Sequence, residues 1–121
     1  MTFDEYQKAA MVTAHYPHVI SDEVMSSGNL VYPALKLAGE AGEYADKVGK
    51  IWRNTGTFPN RNTIDVSTKI QMIRELGDVL WYIAASAKEL GCDLDTVAKI
   101  NIEKLKDRFE RGVICGEGDN R

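Results

Sequence analysis

Between Leu30 and Arg53 the apolar residues Ala34, Leu37, Ala38, Ala41, Tyr44, Ala45, Val48, Ile51 and Trp52 recur three and four positions apart. This spacing lines one face of an α-helix and is incompatible with the two-residue alternation of a half-buried strand. From Asp65 to Leu90 the pattern returns through Val66, Ile73, Leu76, Leu80, Ile83, Ala87 and Leu90, with Gly91 as its stop. Asp93 then offers an N-cap to a helix over about Leu94 to Arg111. Leu94, Ala98, Ile102, Leu105 and Phe109 are expected to face inward there, with Gly112 as the C′ residue. At the other end, Thr2 and Glu5 form a capping-box pair that opens a short helix to about His15, where Tyr16-Pro17 ends it. The stretch from His18 to Gly28 has no clear period and is expected to cross to the next helix, with at most a partial turn. Asn54 to Thr63, NTGTFPNRNT, is a polar loop free to move over a site. Four helices and no credible strand predict an all-α, four-helix-type bundle.

With 121 residues the chain is long enough for one domain and too short for two. Its 44% hydrophobic and 27% charged residues are a globular balance. The net charge of −3, without a Lys/Arg run, argues against binding a nucleic acid polymer or an anionic membrane. Cys92 and Cys115 are too few for a disulfide framework or a four-thiolate zinc site, so a reducing, cytoplasmic setting is expected. The opening MTFDEYQKAA lacks the apolar core of a secretion signal, and no run approaches the roughly 18 apolar residues of a membrane span. In VLWYIAASA the polarity nearly vanishes around the whole helix, which predicts burial on several sides and hence a homo-oligomer. The Gly-rich segment 112–121 is expected to be a loose end when nothing is bound, with folding over a ligand through Asp119 and Arg121 as the alternative.

Polar residues on these helices are not scattered evenly. Glu40 and Glu43 form one carboxylate pair, Glu75 and Asp78 another. Residues three apart sit on neighbouring turns, with Cβ atoms roughly 5–6 Å apart. If the helices pack side by side, four carboxylates converge, and their mutual repulsion favours a divalent cation among them. At ~100° per residue, Glu40 borders the core stripe and Glu43 lies roughly 60° beyond it, on a flank shared with Lys36, Lys47 and Lys50. Tyr82 falls between Glu75 and Asp78 one turn on, where it would overhang whatever they hold. On the last helix Asn101, Lys104, Arg108 and Arg111 form one edge. Acidic flanks facing a basic edge suit a polyphosphate carrying Mg²⁺; all-oxygen ligands favour Mg²⁺ or Mn²⁺ over zinc. His15 and His18 stand outside both pairs, against the Glu-x-x-His signature of a di-iron bundle.

Each feature also has a plain structural reading. A Glu-x-x-Glu pair is common on solvated helices. The cations of the last helix complement its dipole, and Trp52, Trp81 and Tyr82 are equally core residues. Gly39 and Gly42 weaken a helix by roughly 1 kcal/mol each relative to Ala; they admit either another helix or a phosphate.

GEAGEYADKVGK, then RELGDVLWYIA, then NIEKLKDRF resemble, in this order and over nearly the whole chain, the MazG-like nucleoside triphosphate pyrophosphohydrolases, all-α NTP pyrophosphatases related to dimeric dUTPases. TFDEYQKAA and RGVICGEGDNR are similar to short single-domain members from bacteria and phages. The resemblance implies Mg²⁺-dependent cleavage of a nucleotide between its α and β phosphates, to a monophosphate and pyrophosphate. It implies that Glu40, Glu43, Glu75 and Asp78 hold metal and that Glu43, with Glu40 as the other catalytic candidate, accepts a proton from water. Lys104, Arg108 and Lys47 would grip phosphate, Asn101 would orient sugar or phosphate, and Trp52 and Tyr82 would stack on or enclose the base. It implies a homodimer or homotetramer. Ala41 follows Glu40 where some relatives carry consecutive acidic residues, so any further ligand must come from elsewhere. A guanosine alarmone hydrolase and a non-catalytic nucleotide- or partner-binding module are the alternatives.

Overall fold

The computed structural model describes residues 1–17, 19 and 28–121. The expected crossing from His18 to Gly28 therefore lies outside the described residues, apart from Val19 and Gly28. Four helices follow one another: α1 (Phe3–Met11), α2 (Val31–Thr55), α3 (Val66–Glu89) and α4 (Leu94–Glu110). Among the described residues there is no strand, so the architecture is all-α as expected.

Local chemistry sets most boundaries. The Thr2 hydroxyl accepts from the Glu5 amide at 3.1 Å while the Glu5 carboxylate accepts from the Thr2 amide at 2.6 Å, completing the capping box. Asp65 and Asp93 cap α3 and α4 by accepting from the amides of Thr68 and Thr96, at 2.8 and 2.7 Å. The first helix stops at Met11, four residues before the expected end at His15. The indole nitrogen of Trp81 donates to the main-chain oxygen of Ala10 and to the Thr13 hydroxyl, at 3.2 and 3.0 Å. The Thr13 hydroxyl also donates to the Ala10 oxygen, at 2.7 Å. A tertiary contact thus satisfies the carbonyl at the end of α1, and the chain turns away.

Helices α2 and α3 form an antiparallel hairpin: Lys36 near the start of α2 lies over the Tyr82 ring, and Lys47 farther on reaches Glu75. The joining loop is held by Asn60, whose side chain accepts from the Asn62 amide at 2.9 Å and whose own amide donates to the Thr63 hydroxyl at 2.9 Å. It sits at the far end of the hairpin from Tyr32 and Tyr82.

The core lies where α1, the second half of α3 and the start of α4 meet, with Ala84, Ala87 and Leu94 buried among Tyr6, Met11, Leu80 and Ile83. Buried Gln7 crosses this junction. Its amide nitrogen donates to the main-chain oxygens of Ala84 and Cys92 at 3.1 and 3.4 Å, and its amide oxygen accepts from the Leu94 amide at 3.0 Å. Within the chain, VLWYIAASA meets α1 and α4 at this junction and α2 through Tyr82, which faces Tyr32 and Lys36.

The inward face expected for α4 is not covered. Only Leu94 is buried; Ile102, Leu105 and Phe109 are exposed, because α4 packs on α1 and α3 and not on α2. Along the first half of α3, Val66, Ile70, Ile73 and Leu76 are exposed as well. The accessible surface is 8906 Å², whereas a compact monomer of 13.5 kDa exposes roughly 6,500 Å². Among the described residues no helix is long and apolar enough to cross a membrane.

Candidate functional site

The antiparallel hairpin brings the first carboxylate pair against the second. One oxygen each from Glu40, Glu43 and Glu75 lies within 4.8 Å of the others. An all-carboxylate donor set of this kind fits a hard divalent cation.

Two lysines balance this charge. Lys36 Nζ lies 3.1 Å from Glu40, and Lys47 Nζ crosses from α2 to reach Glu75 at 3.3 Å. Both carboxylates are well covered, with side chains 13% and 16% exposed. Glu43 is exposed, and its side chain has no hydrogen-bond or ion-pair partner among the described residues. Asp78 stands outside the three-oxygen group but feels it: burial first, then the charges of Glu40 and Glu75, push its carboxyl above the usual aspartate range. The Glu40 partner in turn holds the Lys36 ammonium above its ordinary value.

Beside the carboxylates lies a cavity of about 440 Å³. It is an open cleft lined by Tyr32, Trp81 and Tyr82, by Thr13 and His15 from the turn after α1, and by Glu40 and Asp78. The rings brace one another: Trp81 meets Tyr82 edge to face at 4.8 Å, and Tyr16 stacks on Tyr32 at 5.3 Å. The Tyr16 hydroxyl donates to Glu89 Oε1 at 2.6 Å while the Asn29 amide donates to its other oxygen at 2.9 Å. Burial, then the hydrogen bond with Glu89, raises the Tyr16 phenol far above its ordinary value, so it stays a neutral donor.

Tyr82 thus joins Glu40 and Asp78 at one cavity, as its helix face predicts. Trp52 does not reach it. That ring is half exposed near the end of α2 and meets Phe58 of the joining loop at 5.3 Å. Gly39 and Gly42 face open space: a Cβ at either would meet nothing within 4 Å. Among the described residues no ion pair or hydrogen bond joins the basic edge of α4 to the four carboxylates, and α4 does not pack on α2. Lys104 and Arg108 hold Asp119 instead, and Asn101 is exposed. The segment 112–121 is folded back on α4 through these contacts and through the Arg111 bond to the Arg121 main-chain oxygen. Thr13, His15 and Tyr32 carry no periodic signal that would mark them as lining this cavity, and the spacing of Trp81 marks it only as core.

The chain is 44% identical over 122 residues to the "Gene 37 protein" of Mycobacterium phage L5, covering all of both chains. No solved structure matches it. Residues 33–113, which contain both carboxylate pairs and the basic edge of α4, match the model of the MazG nucleotide pyrophosphohydrolase domain; the chain belongs to the MazG nucleotide pyrophosphohydrolase family.

Proposed function

We propose that this protein hydrolyses nucleoside or deoxynucleoside triphosphates between the α and β phosphates, with Mg²⁺ as the cofactor. The observation that carries the reading is the meeting of three carboxylate oxygens, from Glu40, Glu43 and Glu75, beside an open cleft that Glu40 itself lines together with Tyr32, Trp81 and Tyr82. A volume of about 440 Å³ lies within the roughly 300–1,000 Å³ of small-molecule sites.

Glu40, Glu43 and Glu75 would hold the cation, with Asp78 completing the set. When bound, it supplies positive charge against the phosphate oxygens and acidifies water. The oxygen of an attacking water forms a bond to the α-phosphorus, the bond from that phosphorus to the α–β bridging oxygen breaks, and pyrophosphate leaves. Glu43, the carboxylate of the group without a cation against it, accepts the water proton. Lys36 and Lys47, released from Glu40 and Glu75, would turn to phosphate oxygens. Tyr82, Trp81 and Tyr32 would enclose the base, with Thr13 and His15 as its polar partners.

We further propose that two copies associate. The excess accessible surface and the exposed apolar residues on α3 and α4 support this, and such surface on a monomer marks an interface. A second copy would bring the Asn101–Lys104–Arg108 edge toward the carboxylates that α4 does not reach within one chain.

Turnover of a panel of canonical and modified NTPs, dNTPs and guanosine alarmones, with and without Mg²⁺, tests the reading. Monophosphate plus pyrophosphate formed only with metal is expected. Turnover of alarmones alone would move the substrate class; no turnover would leave a binding module.

A further inference from the structure

Arg108 is 5% exposed on a stretch of α4 whose apolar neighbours Ile102, Leu105 and Phe109 are open to solvent. Its polar partner comes from the segment after the helix. Nη2 donates to the Asp119 main-chain oxygen at 2.8 Å and to Asp119 Oδ1 at 3.0 Å, and Lys104 Nζ reaches the same Oδ1 at 3.5 Å. One carboxylate oxygen is thus shared between a guanidinium and an ammonium, the arrangement in which a phosphate oxygen is held.

Asp119 does not use the whole site. Arg108 Nε is buried without a hydrogen-bond partner, although the guanidinium fork is built to grip two acceptor oxygens at once. An anion with three or more oxygens on one centre would engage both Nε and Nη2, which this carboxylate does not.

The segment that delivers Asp119 has a specified shape. Gly116 and Gly118 have φ of 151° and 77°, values that L side chains rarely adopt. A Cβ at Gly116 would lie 3.0 Å from the Arg121 side chain. Arg111 Nη2 donates to the Arg121 main-chain oxygen at 2.7 Å, so the turn is anchored on α4 at two points. Yet the Asp119 side chain is 84% exposed, and ion pairs reached by solvent are individually weak. The closure is shaped but displaceable.

We propose that residues 112–121 are an intramolecular strap: Asp119 occupies an anion site formed by Lys104 and Arg108, and a phosphate-bearing ligand must displace it to bind. The strap makes the free protein resist weak anions and couples ligand entry to release of the segment. The proposal rests on the reading of Lys104 and Arg108 as phosphate-binding groups and not on hydrolysis.

The test uses inorganic pyrophosphate as the probe, in EDTA, where metal-dependent turnover cannot contribute. Calorimetric titration of the full chain is compared with Asp119→Asn and with Glu117→Gln, while amide hydrogen exchange follows residues 116–121. A strap closed in most molecules lowers apparent affinity by the open fraction, so Asp119→Asn should bind pyrophosphate about three- to tenfold more tightly. Glu117→Gln should bind as the unaltered chain does, and pyrophosphate should speed exchange in 116–121 of the unaltered chain. Equal or weaker binding by Asp119→Asn, unchanged exchange at saturation, or no binding by any of the three would overturn the strap. If these results hold and the triphosphate panel shows no turnover, the hydrolase reading falls and the strap stands.

Discussion

Gln7 Nε2 of α1 donates to the main-chain oxygen of Ala84 on α3 at 3.1 Å, across 77 positions of sequence. The same amide accepts from the Leu94 amide that opens α4, so one buried polar side chain ties three helices together. Replacing Gln7 with Ala strands the Leu94 amide and leaves the buried Ala84 oxygen with one partner fewer. The expected loss is about 1–3 kcal/mol of stability, read by urea unfolding at fixed protein concentration. An unchanged midpoint would mean that water replaces the amide at this junction.

Glu43→Gln keeps the size of the side chain and removes its basicity. Turnover should fall by about 10²–10⁴-fold while the far-ultraviolet helical signal is retained. Activity within a few-fold of the unaltered chain would remove Glu43 from the proton-accepting role.

Binding of Mg²⁺ to the Glu40–Glu43–Glu75 group should raise the unfolding temperature, since a ligand at a hundred times its Kd stabilises by about 2.7 kcal/mol. EDTA should reverse the rise and abolish turnover. Glu75→Ala should fold and melt without a Mg²⁺ response; a full response in that variant would place the cation elsewhere.

Tyr82 lines the cavity, whereas Trp52 lies at the far end of the hairpin against Phe58. Removing a stacking ring costs about 1–3 kcal/mol per base, so Tyr82→Ala should raise KM roughly 5- to 140-fold. Trp52→Ala, whose ring meets Phe58 and not the cavity, should leave KM within about twofold. The reverse order would relocate the base.

Hydrogen bonds from Thr96 hold the Asp93 carboxyl below the usual aspartate range, and Asp65 is lowered in the same way by Thr68. A lowered folded-state pKa stabilises above the unfolded value and is lost as pH falls through the folded one. Between neutral pH and pH values below the usual aspartate range, the unaltered chain should lose part of its melting temperature through these caps. Asp93→Asn, whose amide caps without titrating, should lose less over the same interval; parallel losses would assign the acid sensitivity to other groups.

Much of this molecule is written locally. The period of apolar residues in 30–53 and 65–90 and the caps at Thr2, Asp65 and Asp93 determine four helices, since both signals act within a turn or two of chain. The spacing of Glu40 with Glu43 and of Glu75 with Asp78 likewise places each pair on one helix face, and the order of those motifs identified the family. What only the tertiary structure decided are the contacts between distant segments: Gln7 at the junction, Trp81 on the end of α1, Thr13 and His15 beside Tyr82, and Asp119 on Arg108. A polar residue such as Gln7 reads as solvent-facing by hydropathy, and its burial depends on three partners that meet only when the helices pack. The apolar stripe of α4 shows the converse. Periodicity determines that Ile102, Leu105 and Phe109 share a face, but what that face meets depends on where α4 lies, and within one chain it lies away from α2.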